Sequence, residues 1–427
     1  VNASTPAEHA HAVAALLAPV LDRLVDDALA ELITLTPGAA AGRVLSVDVH
    51  SRIQVPPFTN SQMDGYAVRA ADLESASTDT PVRLDIGTTS AAGDAVHGHV
   101  PGTASPVMTG AAIPSGADAV VPIELADPPR FMGIGKGAGV RPGDSTVRFH
   151  APVEVGTFVR EAGADLATGS TILPAGTRLG PAQLGSLASA GVTEVRVRRR
   201  EVVLLLSTGH ELRAPGDELE PGQIYDANTA SLTAAMEESG VIVQVAFAPD
   251  DASAVLDAIA QHPDADLIVT TGGVSAGAFE VVRDALEPAG VQFGKVAMQP
   301  GGPQGLGDAR VPSGDGERTV PVIAFPGNPV SALLSFEMFL RPILRGAAGL
   351  DPSRRVHQAP LAEALSSPPG KHQIRRGRLR EDGTVEVGAP GSHLLHDYAR
   401  ATVLVHVPIG VDTLPAGAEV EVWRIDE

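Results

Sequence analysis

The residues able to do chemistry in this chain sit in short turns that follow apolar runs. Residues 266–280 read Asp-Leu-Ile-Val-Thr-Thr-Gly-Gly-Val-Ser-Ala-Gly-Ala-Phe-Glu, an apolar run leading into hydroxyl and glycine residues and then a helical pattern. That order suits a buried parallel strand delivering a glycine-rich turn to a helix N-terminus. Exposed N–H groups there suit an anion, often a phosphate, although a ligand-free strand-to-helix connection would read the same way. Two other turns repeat the pattern. Ser207-Thr208-Gly209-His210-Glu211 follows the apolar run 202–206, and Pro326-Gly327-Asn328-Pro329 follows the run 320–325. In a parallel sheet, ligands gather at the carboxyl ends of strands, so the three turns are expected along one edge. Further candidates lie upstream: Asp64-Gly65 inside a polar, proline-flanked loop, and Thr109-Gly110, each of which also reads as an ordinary turn.

These turns need elements to hold them. From residue 201 the sequence alternates strands and helices: strands at 202–206, 241–247, 267–269 and 320–325, with helices between them. Asn228 is expected to cap one helix and Asp251 the next, which would bury Ala252, Val255, Leu256 and Ile259 on one side. Ala332, Phe336, Phe339 and Leu340 share one face of the last helix. Repeated units of this kind predict a mostly parallel sheet covered by helices.

The flanking regions differ. Thr5-Pro6-Ala7-Glu8 has the pattern of a capping box with proline at the first helical position. It opens an alanine-rich helix expected to break near Pro19 and resume over 21–32, followed by a strand at 43–52. Short β-like runs between glycines and prolines at 82–124 predict a small β unit, and the breaker-dense stretch 131–144 predicts an irregular connection. Residues 158–165 read as a strand and turn, and 181–191 as a short helix. Candidate strands at 377–379, 385–387, 402–407 and 420–423 predict a C-terminal barrel or sandwich. The fold class is therefore multidomain α/β.

Bulk properties exclude several classes. The chain has 427 residues, 31 Lys+Arg against 51 Asp+Glu, and a formal charge of −20, so no basic footprint for nucleic acid dominates it. With only 10 Phe, 3 Tyr and 1 Trp it lacks an extended base-stacking surface. No apolar run approaches the roughly 18 residues of a membrane helix. The absence of cysteine excludes disulfides and thiolate metal sites. With no secretory pattern in Val1-Asn2-Ala3-Ser4-Thr5, the cytoplasm is the expected compartment.

An ordered set of motifs then resembles one family. Asn60-Ser61-Gln62-Met63-Asp64-Gly65-Tyr66-Ala67, Met108-Thr109-Gly110, Ser207-Thr208-Gly209, Gly272-Gly273-Val274-Ser275 and Pro326-Gly327-Asn328-Pro329-Val330-Ser331-Ala332 resemble the molybdopterin molybdenumtransferases, the MoeA family related to the C-terminal region of gephyrin. The resemblance covers essentially the whole chain. It implies a four-part subunit: a mixed first domain at 1–54 and 148–200, a β-rich insertion at 55–147, the α/β domain at 201–348 and a C-terminal β domain at 349–427. It also implies a homodimer, with the cleft between the α/β domain of one copy and the β insertion of the other. The implied reaction inserts molybdate into adenylylated molybdopterin and releases AMP, assisted by magnesium, with a molybdopterin adenylyltransferase as a possible partner.

By motif matching, the family's functional acids fall on Asp64, Asp165, Glu211, Asp250 and Glu280. Asp250 and Glu280 would hold the cation and position water, while Glu211 and Asp64 would bind the pterin or accept protons. Thr109 would approach from the insertion. The implied substrate-binding set continues through Ser207, Thr208, Gly209, Gly272, Gly273, Ser275, Gly277, Lys295, Pro326, Gly327, Asn328, Arg376 and Ser392. Three departures stand out. His210 precedes Glu211 where the family has Asp, Glu280 stands where it has Asp, and Gln299-Pro300-Gly301-Gly302-Pro303 lacks the family's two lysines. The lost lysines motivate an alternative, a pterin-binding or scaffold paralogue with weak or no turnover. A third reading is a related nucleotide-handling enzyme such as an adenylyltransferase. His210 is expected to be an exposed hydrogen-bonding residue, and His393, His396 and His406 are expected not to bind metal.

Overall fold

A computed structural model describes residues 3–24, 26–132, 146–274, 280–314 and 316–426. The expected irregular connection at 131–144 falls outside them beyond Met132.

The first helix, Pro6–Leu24, opens on the expected capping box: Thr5 N–H donates to Glu8 Oε2 at 2.8 Å, and Glu8 N–H donates to Thr5 Oγ1 at 3.2 Å. It does not break at Pro19. The proline and the Ala15 carbonyl it leaves unpaired lie on the exposed side of the helix, where water can serve the carbonyl. The opposite face buries Val13 and Leu17 in the α/β core. Nor does a helix resume over 21–32. A 3₁₀ turn, Asp27–Leu29, leads to the strand Glu31–Thr34, which pairs antiparallel with Glu194–Val197. The strand expected at 43–52 shrinks to bridges at Val44 and Leu45 and the pair Val49–His50. Leu45, Leu179, Leu187, Val195 and Val197 form the small core of this region.

The insertion is a six-stranded sheet in the order Ala119–Pro122, Gly65–Val68, Thr103–Val107, Val82–Ile86, Thr146–Phe149, Ala126–Asp127. Gly65 is required by close approach, because a Cβ there would stand 2.1 Å from the Val121 carbonyl oxygen. The Asp64 carbonyl accepts from Ile123 N–H at 3.0 Å, which holds Asp64 at the end of the strand.

The α/β sheet runs Ile242–Ala248, Val202–Thr208, Leu267–Thr271, Gly316–Phe325, Pro303–Ser313, Gln292–Lys295. The first four strands are parallel, and the last two add an antiparallel edge through a hairpin. Val202–Thr208 and Leu267–Thr271 are buried along their whole length, as strands covered on both faces must be. One face packs Leu205, Val269, Phe325, Phe336 and Phe339; the other packs Leu204, Ile268, Val255, Ile259 and Val282. Asp251 caps Ala252–Ala260 as expected. The cap of Ala227–Glu238 is Asp226 rather than Asn228, because the Asn228 amide is turned to another partner. The last helical segment, Pro329–Ser335, continues through a π-helical turn, Phe336–Leu340, into Arg341–Ala347, with Ala332, Phe336, Phe339 and Leu340 buried together.

The C-terminal sheet runs Met298–Gln299, His372–Leu379, Val403–Val407, Glu419–Arg424, Val356–Pro360, with Val385–Val387 also paired to His372–Leu379. Its first strand comes from the α/β region, so the 298–303 segment is shared between the two units. Among the described residues no helix is long and apolar enough to cross a membrane.

Candidate active site

Strand register assembles the site. Ser207 pairs with Phe247 and Thr271, Thr208 with Ala248, and Thr271 with Phe325. Four parallel strands therefore end at one level, and the turns that follow them are neighbours. Buried hydroxyls tie the ends together: Ser207 Oγ lies 2.8 Å from Thr229 Oγ1 and 3.2 Å from Thr271 Oγ1. Thr208 Oγ1 donates to the Thr271 carbonyl at 3.5 Å.

The glycines let the turns touch. Gly272 has φ +91° and lies against Thr208, and a Cβ on Gly327 would sit 3.3 Å from Gly272 Cα. At Gly273, φ +60°, a Cβ would meet the Val282 nitrogen at 2.9 Å. Asn228 Nδ2 donates to the Gly327 carbonyl at 2.7 Å, bracing the Pro326-Gly327-Asn328 turn from the facing helix. The helix after the glycine turn, Val281–Leu286, is only 6 residues long, so turn amides rather than a long helix dipole are what it offers an anion. Ser275 and Gly277 lie outside the described residues.

The same register creates an acid cluster. His210 and Asp250 each stand two residues beyond the paired Thr208 and Ala248. Asp250 Oδ2 accepts from His210 N–H at 3.1 Å and lies 2.6 Å from His210 Nδ1. The hydrogen bond to Asp250, then its charge, raises the His210 pKa above the ordinary imidazole value. Glu211 completes the group: one donor atom from each of His210, Glu211 and Asp250 lies within 4.8 Å of the others. Gly209 permits this, since a Cβ there would collide with the Glu211 carboxylate at 2.6–2.9 Å. One ring nitrogen and two carboxylates at this spacing fit a divalent cation. Glu280 is not in that group; it occupies the N-cap position of Val281–Leu286 without a side-chain capping bond.

The other expected residues fall in three places. In the insertion, Asp64 Oδ1 accepts from Thr109 N–H at 2.7 Å and from Thr109 Oγ1 at 2.8 Å, and these bonds hold its carboxyl below the usual carboxylate range. Asp165 is exposed in the turn after Val159–Arg160. Lys295 ends an edge strand and is exposed. At the C-terminal sheet, Arg376 is 1% exposed and donates from Nη2 to the carbonyls of Ala389 at 2.7 Å and Gly391 at 3.0 Å. Its Nε and Nη1 are buried without a partner, a donor set that fits a small oxyanion. Nearby in sequence, Ser392 Oγ accepts from Asn328 Nδ2 at 3.0 Å, and the Ser392 carbonyl accepts from Val330 N–H at 3.2 Å. The structure thus clips the Arg376–Ser392 region to the Pro326-Gly327-Asn328 turn.

Sequence reading missed the supports. Gln299 Oε1 accepts from Gln373 Nε2 at 2.9 Å, and Gln373 Oε1 accepts from Arg375 Nη1 at 3.3 Å, a polar chain that runs from half-buried Gln299, where a lysine is missing, to buried Gln373 and Arg375. No local spacing signals this pairing across 74 residues.

A parallel sheet with glycine turns, a His–Glu–Asp group and, through the Asn328–Ser392 clip, the region of a buried guanidinium along one edge defines an α/β protein with its candidate site at the strand ends. Comparison with known proteins narrows this. Residues 5–191 match the MoeA N-terminal region (domain I and II), 205–346 a probable molybdopterin binding domain, and 358–425 the MoeA C-terminal region (domain IV). The chain is 44% identical over 408 residues to molybdopterin molybdenumtransferase 2 of Mycobacterium tuberculosis, covering 92% of this chain and 95% of that protein. It is 33% identical over 377 residues to the molybdopterin molybdenumtransferase of Haemophilus influenzae, covering 86% and 87%. The crystal structure of a molybdopterin biosynthesis moea protein from Pyrococcus horikosii superposes with a TM-score of 0.74 at 29% identity, covering 96% of this chain and 99% of that one. The chain belongs to the molybdopterin molybdenumtransferase family.

Proposed function

We propose that this protein is a transferase of molybdenum cofactor biosynthesis that inserts molybdate into adenylylated molybdopterin and releases AMP. The observation that carries the reading is the single edge at which strand register gathers three amide-rich turns, the His210–Glu211–Asp250 group and, through the Asn328–Ser392 clip, the region of buried Arg376. The scaffold alternative is not favoured, since the relatives matched along nearly their whole length are named as transferases.

In this reading the Gly273 amide faces the phosphates, Gly272 N–H being donated to the Phe325 carbonyl at 3.2 Å, and Gly272, Gly327 and Asn328 form the adjoining wall. Arg376, with its unpartnered Nε and Nη1, and Ser392 hold molybdate. Asp250 and Glu211 hold a divalent cation, expected from the family pattern to be magnesium, and Glu280 orients the attacking water. When bound, the cation neutralises charge on the pyrophosphate. Asp64, which holds no cation in this reading, accepts the proton. Asp64 and its tightly held partner Thr109 belong to the insertion and act on a second copy's cleft in a homodimer. A molybdopterin adenylyltransferase supplies the substrate, and the cytoplasm is the compartment where both work.

The test is AMP release from adenylylated molybdopterin by the purified protein with magnesium across a range of molybdate concentrations. Molybdate-dependent release supports the reading. Tight pterin binding with no molybdate-dependent release overturns it and returns the scaffold alternative.

A further inference from the structure

The acid cluster contains one donor that an oxygen-only cation site does not. His210 is held beside Asp250 twice, by its backbone N–H at 3.1 Å and by its ring Nδ1 at 2.6 Å from the same carboxylate oxygen. Its side chain is 84% exposed, so the ring is restrained by this contact and not by packing. Glu211 is aimed at the same spot by the absence of a side chain at Gly209, whose Cβ position the Glu211 carboxylate crowds. Arg213 spends Nη1 on the carbonyls of His210 and Leu212 at 3.0 and 2.7 Å.

We propose that His210 is a ligand, with Glu211 and Asp250, for a first-row divalent cation that accepts imidazole, of the Zn²⁺, Co²⁺ or Ni²⁺ class, in place of Mg²⁺. This deepens the proposed function, because it rests on the reading of the same edge as a cation site. The argument is one of donor chemistry and spacing. Magnesium demands oxygen donors in near-octahedral geometry and gains little from a ring nitrogen, whereas imidazole suits zinc and its neighbours. Ligand atoms around an ion with bonds of about 2.1 Å stand about 3.0–4.2 Å apart, so an ion would draw in donors that now lie within 4.8 Å of one another and would part the closest pair. The ring nitrogen and the Asp250 oxygen, 2.6 Å apart, need to part by about 0.4 Å for octahedral and about 0.8 Å for tetrahedral coordination. Exposed side chains on a turn can make that adjustment. The position matters because the family resemblance places an aspartate there; the change from carboxylate to imidazole alters which ion the same two carboxylates prefer.

The experiment is calorimetric titration of the metal-stripped, full-length protein with Co²⁺, Zn²⁺ and Mg²⁺, alongside the visible absorption of bound Co²⁺. The expected result is one equivalent of Co²⁺ or Zn²⁺ bound more tightly than Mg²⁺. His210→Asp should weaken Co²⁺ and Zn²⁺ by about ten- to a hundredfold while Mg²⁺ binding is kept or improved. The exposure of His210 makes that substitution safe for folding, and the unchanged melting temperature is the control. Equal Co²⁺ to Mg²⁺ preference in the wild type and in His210→Asp overturns the proposal, since His210 then only braces Asp250. Co²⁺ binding that survives Asp250→Asn overturns it too, by placing the ion at another histidine. No pterin is needed, so failure of molybdenum transfer with this metal preference intact counts against the function and not the site.

Discussion

The two ends of the α/β sheet put the same residue type to opposite uses. At the amino end, Asp266 is 7% exposed and fully engaged: Arg199 Nη1 donates to Oδ2 at 2.7 Å, Arg23 Nη2 to Oδ1 at 3.0 Å, and the Val202 N–H to Oδ2 at 2.9 Å. At the carboxyl end, Asp250 is part-exposed, and the hydrogen bonds described for it all come from one neighbour, His210. The first carboxylate joins the opening helix, the linker before the sheet and two strands. The second faces outward with lone pairs to spare. A carboxylate whose acceptor capacity is filled by the fold is structural, and one whose capacity the fold leaves open can take a ligand.

The largest effect should therefore appear at the satisfied end. Asp266→Ala leaves the Arg199 guanidinium and the buried Val202 N–H without their acceptor. We expect a loss of about 2–3 kcal/mol, at or below the lower end for a broken buried pair because both arginines keep contact with water. Urea denaturation checks this, and turnover per folded molecule should be unchanged. Asp250→Asn is the mirror case. Stability should move by less than about 0.5 kcal/mol, while AMP release slows by about a hundredfold, or about 2.7 kcal/mol of barrier. If the two variants exchanged phenotypes, the division of labour between the ends would be refuted.

Much of this geometry was legible in the sequence, for physical reasons. The capping box at Thr5–Glu8 and the cap at Asp251 are local hydrogen-bond patterns, and local patterns survive folding. The three turns could be placed on one edge because strand ends in a parallel sheet share a side. What could not be read depends on register or on distant partners. His210 meets Asp250 because Thr208 pairs with Ala248, a fact written nowhere within either turn. Asp226 and Asn228 are both good caps; the choice went to Asp226 because Asn228 is committed to Gly327, 99 residues away. The hairpin formed by Pro303–Ser313 and Gly316–Phe325 was legible only at 320–325, because its prolines and glycines break the alternation that marks a strand. Pro19 misled in the same way, since its cost depends on whether its helix face meets water.

Between these extremes stands Glu280, at the start of Val281–Leu286 and outside the His210–Glu211–Asp250 group. Its role as a water-positioning carboxylate comes from the family resemblance, so its test separates that role from the cation role of Asp250. Glu280→Gln should slow AMP release by at least about tenfold, or about 1.4 kcal/mol of barrier. The metal affinity measured by titration should stay unchanged. An unchanged rate at saturating magnesium would remove Glu280 from the mechanism and leave Asp250 as the acid that matters at the open end.

The smallest expected effect probes the closed end. The two arginines of Asp266 are not equivalent: the Arg23 side chain is 59% exposed and the Arg199 side chain 25%. Arg23→Ala removes an ion pair that water already screens, and Asp266 keeps Arg199 and the Val202 N–H. The cost should be about 0.5 kcal/mol, falling further as salt is added. Urea denaturation of Arg23→Ala and Asp266→Ala, run side by side at low and high salt, resolves the difference. A loss for Arg23→Ala as large as that for Asp266→Ala would mean that the Arg23 ion pair, added to the burial of Val13 and Leu17, carries most of what Asp266 contributes. The near-equality would then locate the strength of the amino end in the opening helix and not in the carboxylate's saturation.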